Sequence, residues 1–166
     1  GFLWVATQDG LNKFDGQSFT HYRNDFYDPN SIADNVIRTL HISRDGTLWI
    51  GTNNGLSRYN AEQDNFHNYK HSPEDLNGLA DNAIWDIYED SSSIIQSTDT
   101  KETLNNLWVS TKSGLHKYNT ESDSFQQIKI RKISNSEVSP LNEVKTIFQD
   151  DKGFYWISTY EQGFII

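Results

Sequence analysis

The chain has 166 residues, of which 35% are apolar, 22% charged and 13% aromatic. This is the size and composition of about one folded domain, and it excludes a disordered or collagen-like chain. The formal net charge of -9, with no basic cluster denser than Lys129–Lys132, argues against nucleic acid as a partner. No cysteine is present, which excludes disulfides, thiolate zinc sites and cysteine nucleophiles.

The start of the chain predicts an interior segment of a longer protein. It reads Gly-Phe-Leu-Trp, without an initiator methionine or the basic region that opens a secretory signal. The apolar runs are only a few residues long, short of the roughly 20 residues that cross a bilayer. We therefore expect further sequence on both sides.

One short motif occurs four times. It consists of Leu or Tyr, then Trp, Val or Ile, a small residue and Thr, followed by Gly and an apolar residue, and the fourth copy has one extra residue before its glycine. Four of the five tryptophans occupy this position, at spacings of 45, 59 and 48 residues. The repeated residues are Trp4, Trp49, Trp108 and Trp156, Thr7, Thr52, Thr111 and Thr159, and Gly10, Gly55, Gly114 and Gly163.

In chain order, the runs between turn residues predict strands and no long amphipathic helix. Residues 1–22 hold the last three strands of one unit, 36–69 and 83–130 hold complete units, and 143–166 hold the start of another. The four strands of the first complete unit are predicted at Ile37–Ile42, Leu48–Thr52, Leu56–Tyr59 and Phe66–Tyr69. The turns Asp45-Gly46, Asn54-Gly55 and Lys152-Gly153 supply the positive φ that tight hairpins need.

The unit 83–130 is longer than the others. Its first strand and its repeated tryptophan, Ile84 and Trp108, are 24 residues apart, against 12 for Ile37 and Trp49. We therefore predict a 12-residue insertion within 91–106, whose Ser, Thr, Asn and Asp content is typical of a solvated, mobile loop.

Four antiparallel strands every 45 to 48 residues are typical of a blade of a β-propeller. The predicted fold class is therefore all-β, with blades that are four-stranded antiparallel meanders. The repeated tryptophan would be a wedge between blades, burying on the order of 200 Å² against the next sheet. Because closed propellers have typically about four to eight blades, we expect this chain to be a fragment of a larger propeller.

The repeated unit resembles the two-component-regulator propeller repeat. The resemblance covers essentially the whole chain, and the copy between Asn35 and Tyr59 carries the pattern most fully. The residues that match there are Asn35, Ile37, Leu40, Gly46, Leu48, Trp49, Ile50, Gly51, Thr52, Gly55, Leu56, Arg58 and Tyr59, and those of the next copy are Asn82, Ile84, Ile87, Trp108, Thr111, Gly114, Leu115, Lys117 and Tyr118.

This resemblance implies a function as well as a fold. It implies part of a seven-bladed propeller in the periplasmic, extracytoplasmic sensor region of a bacterial inner-membrane signalling protein. Such proteins continue into a further β-domain, a membrane helix and a cytoplasmic histidine kinase or diguanylate cyclase, and members resemble carbohydrate sensors. The expected partners are the rest of the propeller, the adjacent sensor domain and an oligosaccharide, with a homodimer of the full-length protein as a further expectation. The region itself would be non-catalytic.

Three residues vary at one position of the otherwise repeated frame. Arg38, Trp85 and Lys145 each follow the first apolar residue of the innermost strand, near the expected mouth of the propeller channel. Tryptophan suits the apolar face of a sugar, and arginine or lysine suits an acidic group. We predict that these residues bind ligand. The alternative is that Trp85 packs between blades while the two cations extend into solvent.

Other polar and aromatic loop residues have simpler interpretations. Asp34 and Asn35 recur as Asp81 and Asn82, so we expect them to hold backbone amides in turns. The adjacent pair Phe26 and Tyr27 either faces a partner or holds its long loop down as an apolar staple. The loop residues Asp25, Asp28, Asn30 and Asp34 do not have the spacing of a calcium-binding loop. We predict no metal or cofactor.

An enzyme is the main alternative to a sensor. Streptogramin lyases and some glycan-degrading propellers have similar blades, with catalysis at the channel mouth. The five histidines form no His-x-x-x-His pattern, and no Gly-x-Ser-x-Gly pattern is present, so we predict no catalytic residues. A cytoplasmic interaction scaffold is a third possibility, but the repeat lacks the Gly-His and Trp-Asp dipeptides of such propellers.

Overall fold

Every regular element that the computed structural model describes is a β-strand, which confirms the predicted all-β class. The structure describes the backbone of residues 1–90, 94–97, 100–103, 106–131, 138–140, 143–160 and 163–165, and the side chains of 1–90, 106–129 and 143–160. The strands are β1 (Leu3–Thr7), β2 (Gly10–Phe14), β3 (Phe19–Tyr22), β4 (Ile37–Ile42), β5 (Leu48–Thr52), β6 (Gly55–Asn60), β7 (Asn65–Tyr69), β8 (Ile84–Glu89), β9 (Ile94–Ser97), β10 (Thr100–Thr103), β11 (Leu107–Thr111), β12 (Gly114–Asn119), β13 (Ser124–Gln127), β14 (Lys129–Arg131), β15 (Val138–Pro140), β16 (Val144–Gln149), β17 (Tyr155–Thr159) and β18 (Gly163–Ile165).

Fourteen of the strands form four antiparallel sheets, and β9, β10, β14 and β15 form two separate hairpins. Sheet 1 has the order β1-β2-β3, and sheet 2 has the order β4-β5-β6-β7. Sheet 3 has the order β8-β11-β12-β13, and sheet 4 has the order β16-β17-β18. The four-stranded meanders of sheets 2 and 3 confirm the blade architecture expected from the repeat.

The insertion in the third unit contains a regular element that the sequence did not predict. Its backbone forms a short hairpin, in which β9 pairs antiparallel with β10 and Ile94 lies opposite Thr103. The β-branched residues Ile94, Ile95, Thr100 and Thr103 favour this extended pairing over a loop. The remaining part of the insertion, residues 91–93, 98, 99, 104 and 105, lies outside the described residues. A second hairpin, β14 with β15, lies in the connection before sheet 4.

The predicted turn glycines adopt the left-handed backbone that the hairpins require. Gly46 has a φ of 87° and Gly55 a φ of 128°. At Gly55 an added Cβ would lie 3.0 Å from the carbonyl oxygen of Tyr69, so close approach of the chain also excludes a side chain there. The repeated threonine stabilises the same turn, because the Thr52 hydroxyl donates to the carbonyl of Gly55 at 2.7 Å. Equivalent bonds join Thr7 to Gly10 and Thr111 to Gly114.

The repeated tryptophans pack each sheet against the next. The ring of Trp4 lies 4.9 Å from that of Tyr59 in sheet 2, and the ring of Trp49 lies 4.9 Å from that of Tyr118 in sheet 3. Both pairs meet edge to face, a geometry that aromatic quadrupoles favour. The ring of Trp108 lies 5.4 Å from that of Tyr155 in sheet 4. Each of these contacts therefore joins one blade to its successor.

The apolar core is divided into three clusters, one between each pair of adjacent sheets. The clusters are centred on Leu11 and Ile50, on Leu56 and Ile84, and on Leu115 and Val144. All six of these side chains are buried. No single sheet encloses a core of its own, so the burial that stabilises each blade depends on its neighbours.

Two of the sheet interfaces each contain a polar cluster of one aspartate, two tyrosines and one cation. Between sheets 1 and 2, Asp64 accepts hydrogen bonds from the hydroxyls of Tyr22 and Tyr59, and Lys13 lies 3.6 Å away. Between sheets 2 and 3, Asp123 accepts hydrogen bonds from Tyr69 and Tyr118, both at 2.6 Å, and from Arg58 at 3.0 Å. We call these two sets the aspartate clusters.

Both aspartates are held in their charged form. Hydrogen bonds from Tyr59 and Tyr22 lower the pKa of Asp64, and the charge of Lys13 lowers it further. Burial alone would raise the pKa of Asp123, but the hydrogen bonds from Tyr118 and Tyr69 and the charge of Arg58 outweigh it and lower that pKa. Asp64 and Asp123 have positive φ values of 53° and 48°, a backbone that Asp and Asn tolerate better than most residues.

Replacing the buried wedge of sheet 2 tests the packing between sheets. Trp49 is only 3% exposed, so Trp49→Ala should lower the free energy of unfolding by about 3–5 kcal/mol, whereas Trp49→Phe keeps an aromatic ring against Tyr118 and should cost less. Urea denaturation of the natural polypeptide that carries this chain measures both. A loss for Trp49→Ala of about 0.5 kcal/mol, as for a surface substitution, would contradict the assignment.

The aspartate cluster between sheets 2 and 3 predicts a pH-dependent effect. Because Asp123 has a lowered pKa in the folded state, its stabilising contribution is present above the ordinary aspartate pKa and is lost as the pH falls through the lowered value. Its side chain is 43% exposed, so solvent screening limits the cost of Asp123→Asn at neutral pH to about 1 kcal/mol.

Asparagine tolerates the same positive φ, so Asp123→Asn removes the charge without straining the turn. The difference in unfolding free energy between Asp123→Asn and the native protein should shrink towards zero as the pH is lowered below the folded-state pKa of Asp123. Glu121→Gln changes an exposed carboxylate of the same turn and is the control, expected to change stability little. Equal, pH-independent effects of the two substitutions would contradict this role for Asp123.

Candidate functional site

The innermost strands of sheets 2, 3 and 4 share a β-bulge at the same position. In sheet 2, Ile37 pairs with Thr52 and Thr39 pairs with Gly51, so that Arg38 is the unpaired extra residue. The pairing of β8 with β11 skips Trp85 in the same way, and the pairing of β16 with β17 skips Lys145. We call Arg38, Trp85 and Lys145 the bulge residues. A bulge redirects the side chain of the extra residue, and bulges are frequent beside functional sites.

The three bulge residues predicted from the sequence lie together. β8 is in contact with both β4 and β16, so the three bulges are adjacent in space. They line one cavity of about 430 Å³, which we call the bulge pocket. Its described lining is Gln8, Val36, Ile37, Arg38, Trp85 and Lys145.

A cation covers the tryptophan of this pocket. The Nζ atom of Lys145 lies 3.2 Å from the ring centroid of Trp85 and 5.2 Å from that of Tyr160. An ammonium group over an indole face is attracted by the ring quadrupole. Trp85 is half-buried and its neighbours Arg38 and Lys145 are exposed.

A neighbouring turn orients the guanidinium of Arg38. Its Nε atom donates a hydrogen bond to Oδ1 of Asn53, the residue that follows the repeated Thr52. The other residues at this turn position are Gln8, Lys112 and Tyr160, so this position also varies within the repeated frame. This turn position was not among the predicted site residues, although it varies between repeats just as the bulge position does.

Backbone hydrogen bonds fix the turns and the long polar connections to one end of the sheets. The amide of Gly10 in sheet 1 donates to the carbonyl of Asn35 at 2.7 Å, and the amide of Gly55 in sheet 2 donates to that of Asn82 at 2.8 Å. The amide of Glu143 likewise donates to the carbonyl of Lys112 at 2.8 Å. Each bond joins a turn to the connection that enters the next sheet. The backbone around the bulge pocket is therefore held in place by hydrogen bonds between neighbouring units.

The recurring polar residues of these connections hold backbone amides. Oδ1 of Asn35 accepts from the amide of Asn24, and Oδ1 of Asn82 accepts from that of His71, both at 2.7 Å. Asp34 and Asp81 accept from the amides two residues ahead, at 2.7 and 2.8 Å. These bonds form the turns expected for Asx side chains.

The aromatic pair of the first long connection is not a staple. Phe26 and Tyr27 are each 90% exposed and contact each other edge to face, with ring centroids 5.4 Å apart. The residue that anchors this connection is Ile32, which is buried in the core between sheets 1 and 2. The interpretation of Phe26 and Tyr27 as an apolar staple is therefore wrong, because the loop turns them outward through the Asx turn that Asp25 makes with the amide of Tyr27.

One histidine has a structural role that the sequence did not indicate. His116 is fully buried, and its Nε2 accepts a hydrogen bond from the amide of Ala80 at 3.0 Å. The equivalent residue of sheet 2, Ser57, accepts the amide of Ala33 through its hydroxyl at 3.0 Å. Burial lowers the pKa of His116 to about 4, so it is neutral and holds the connection in place at ordinary pH.

A second cavity, of about 550 Å³, lies at the opposite end of sheet 2. It is lined by the turns that contain Asp45 and Asn60, together with Arg58 and His67. The guanidinium of Arg58 already donates hydrogen bonds to Asp123 and Tyr118 of the aspartate cluster. In the described part of the chain, no group of three or more His, Asp or Glu is arranged to hold a metal ion.

The chain matches a known repeat at two of these units. Residues 31–54 and 139–161 match the family described as the Two component regulator propeller. These segments contain two of the bulge residues, Arg38 and Lys145, and two of the repeated tryptophans, Trp49 and Trp156. The propeller repeat therefore includes both the packing frame and the variable bulge position.

Two known proteins are similar to this chain over part of their length. A 33-residue segment, 20% of the chain, is 61% identical to the protein named Histidine kinase P4 from Formosa agariphila and covers 2% of its length. Over 98% of the chain, the structure is similar to the extracellular domain of a hybrid two component system from B. thetaiotaomicron, with 25% sequence identity and a TM-score of 0.64. The chain spans 26% of that domain. Within the described ranges, no helix is long and apolar enough to cross a membrane.

Proposed function

We propose that this chain is a non-catalytic, ligand-binding part of the extracytoplasmic sensor region of a bacterial inner-membrane signalling protein. The observation that carries the proposal is the convergence of Arg38, Trp85 and Lys145 in one pocket. The fold fixes the backbone there by a repeated bulge but leaves the side chain free to vary. A surface of constant shape and variable chemistry is what a recognition site on a repeat protein requires.

The similar proteins support the location and the type of output. The similar solved domain is extracellular and belongs to a hybrid two component system, and the curated relative is a histidine kinase. By analogy, ligand binding at the bulge pocket would bias a cytoplasmic output domain, either a histidine kinase or a diguanylate cyclase. The described lining of the pocket has no histidine or carboxylate, the groups that general acid–base chemistry most often uses.

An oligosaccharide is the ligand class that best fits the chemistry of the pocket. The indole of Trp85 offers an apolar ring, and Gln8 and Arg38 offer hydrogen-bonding groups in the same lining. Sugars present both an apolar ring face and many hydroxyls, so this combination suits them. The cavity of about 430 Å³ is within the size range of small-ligand sites.

The remaining sheets of its own propeller are the proposed protein partners. Sheet 1 exposes Phe2 and Leu3, at 56% and 60%, and sheet 4 exposes Phe148 and Trp156, at 54% and 38%. The equivalent tryptophans of sheets 1 to 3 are covered by the next sheet. An adjacent sensor domain and a homodimer of the full-length protein belong to the same proposal, by analogy with sensors of this type.

Substituting the aromatic bulge residue tests the proposal. A panel of oligosaccharides is screened against the natural polypeptide by the rise in melting temperature, and the strongest binder is titrated calorimetrically. Trp85→Ala should weaken binding of that oligosaccharide by about tenfold or more. Tenfold is about 1.4 kcal/mol, and nucleobases stacked on aromatic side chains gain a similar roughly 1–3 kcal/mol. The melting temperature of the variant should change little, because Trp85 is only half-buried.

Trp108→Ala is the matched control. Trp108 contacts Tyr155 of the next sheet and does not line the pocket, so its loss should lower the melting temperature and leave the affinity per folded molecule unchanged. If no oligosaccharide binds, or if Trp85→Ala binds as tightly as the native protein, the proposed site is wrong. Hydrolysis or elimination of the oligosaccharide by the native protein would favour the enzyme alternative instead.

A further inference from the structure

The charge of the bulge pocket is opposite to that of the chain. The whole chain has a formal net charge of -9. The described lining of the pocket nevertheless contains two cations, Arg38 and Lys145, and no carboxylate. Positive charge concentrated in a cavity attracts anions to it, even when the net charge of the protein is negative.

Neither cation of the pocket is neutralised by a carboxylate in the described part of the chain. The ion pairs described there use Lys13, Arg23, His41 and Arg58, and none involves Arg38 or Lys145. Arg38 uses its Nε atom on the amide oxygen of Asn53, which leaves the charge of the guanidinium intact and its other donors available. A neutral partner thus orients Arg38 without cancelling its charge.

Lys145 decides between a neutral and an acidic ligand. Its ammonium group occupies a face of Trp85, at 3.2 Å from the ring centroid. A neutral sugar that stacked on this face would have to displace the ammonium and receive no charge interaction in return. A carboxylate or sulfate would instead pair with the ammonium, either in place or as Lys145 moves off the ring, and would leave the indole to contact the sugar ring.

We propose that the bulge pocket recognises an acidic oligosaccharide, with Arg38 and Lys145 binding its carboxylate or sulfate groups beside Trp85. This inference rests on the proposed function and adds the charge class of the ligand. Asn53 and Tyr160 are positioning residues in this arrangement: Asn53 orients the guanidinium, and the ring of Tyr160 lies 5.2 Å from the ammonium. A ligand bound by both cations would connect sheets 2 and 4, and its contact with Trp85 would add sheet 3 between them.

The test compares charged and neutral forms of the same sugars. Short fragments of polygalacturonate, alginate and chondroitin sulfate are titrated into the natural polypeptide alongside their methyl-esterified or desulfated counterparts. Neutral glucans and xylans complete the panel, and citrate and sulfate represent free anions. The acidic form of the best ligand should bind about tenfold or more tightly than its neutral counterpart, and its affinity should fall with added salt.

Single substitutions assign that difference to the pocket. Arg38→Gln and Lys145→Gln should each weaken the acidic ligand by about tenfold and reduce its salt dependence, with little effect on the neutral counterpart. Lys112→Gln is the control, because Lys112 is an exposed cation of the turn equivalent to that of Asn53 and does not line the pocket. It should change the affinity by less than about twofold, as expected for a screened charge outside the contact.

The outcomes separate this inference from the proposed function. If the best ligand is neutral, or if charged and neutral forms bind equally, the acidic class is wrong and the sensor proposal stands. If citrate or sulfate binds as tightly as any oligosaccharide, the pocket is a free-anion site and the inference is overturned. If nothing in the panel binds, both proposals fail. Equal losses for Lys112→Gln and Lys145→Gln would show general electrostatic attraction and would overturn recognition by the bulge residues.

Discussion

Three of the repeats place a tryptophan ring between two sheets, and these contacts hold the described sheets together. A four-stranded meander of this size encloses no core, and here the buried residues are divided among three clusters that each belong to two sheets. Trp49 is the clearest case, because its indole is buried against Tyr118 of the next sheet. The aspartate clusters brace the same interfaces with charged hydrogen bonds. Stability is therefore a property of neighbouring sheets together, as in other repeat proteins.

These packing contacts leave some positions of the frame free to vary, and the bulge is one of them. The wedge, the threonine and the turn glycine fix the second and third strands, whereas the bulge adds a residue to the first strand that pairs with nothing. Its side chain can change from arginine to tryptophan to lysine without altering the sheet. Because β8 lies against both β4 and β16, the three variable side chains meet in one pocket. A repeat that is constant in its packing can thus present different side chains at one position from blade to blade.

The sequence alone was sufficient for the strands of the four sheets, their turns and the position of the bulge residues, since all three follow from the spacing of the repeat. It did not predict contacts that depend on side-chain direction across sheets. Neither the ammonium of Lys145 on the ring of Trp85 nor the bond from Arg38 to Asn53 has a signature in local sequence. The outward direction of Phe26 and Tyr27 depends on an Asx turn. The role of His116 depends on the burial of the Ala80 amide, whose counterpart in the neighbouring unit donates to Ser57. The hairpin within 91–106 was missed because its polar composition outweighed the short β-branched runs inside it.

Amide hydrogen exchange of the natural polypeptide, with and without its best-binding oligosaccharide, tests most directly whether the bulges form the ligand site. Ligand should slow amide exchange in the peptides that contain Gln8, Arg38, Trp85 and Lys145. Exchange in the turns at the opposite end of sheet 2 should not change. Protection confined to those opposite turns, around Asp45 and Asn60, with none at the three bulges, would contradict this assignment of the site.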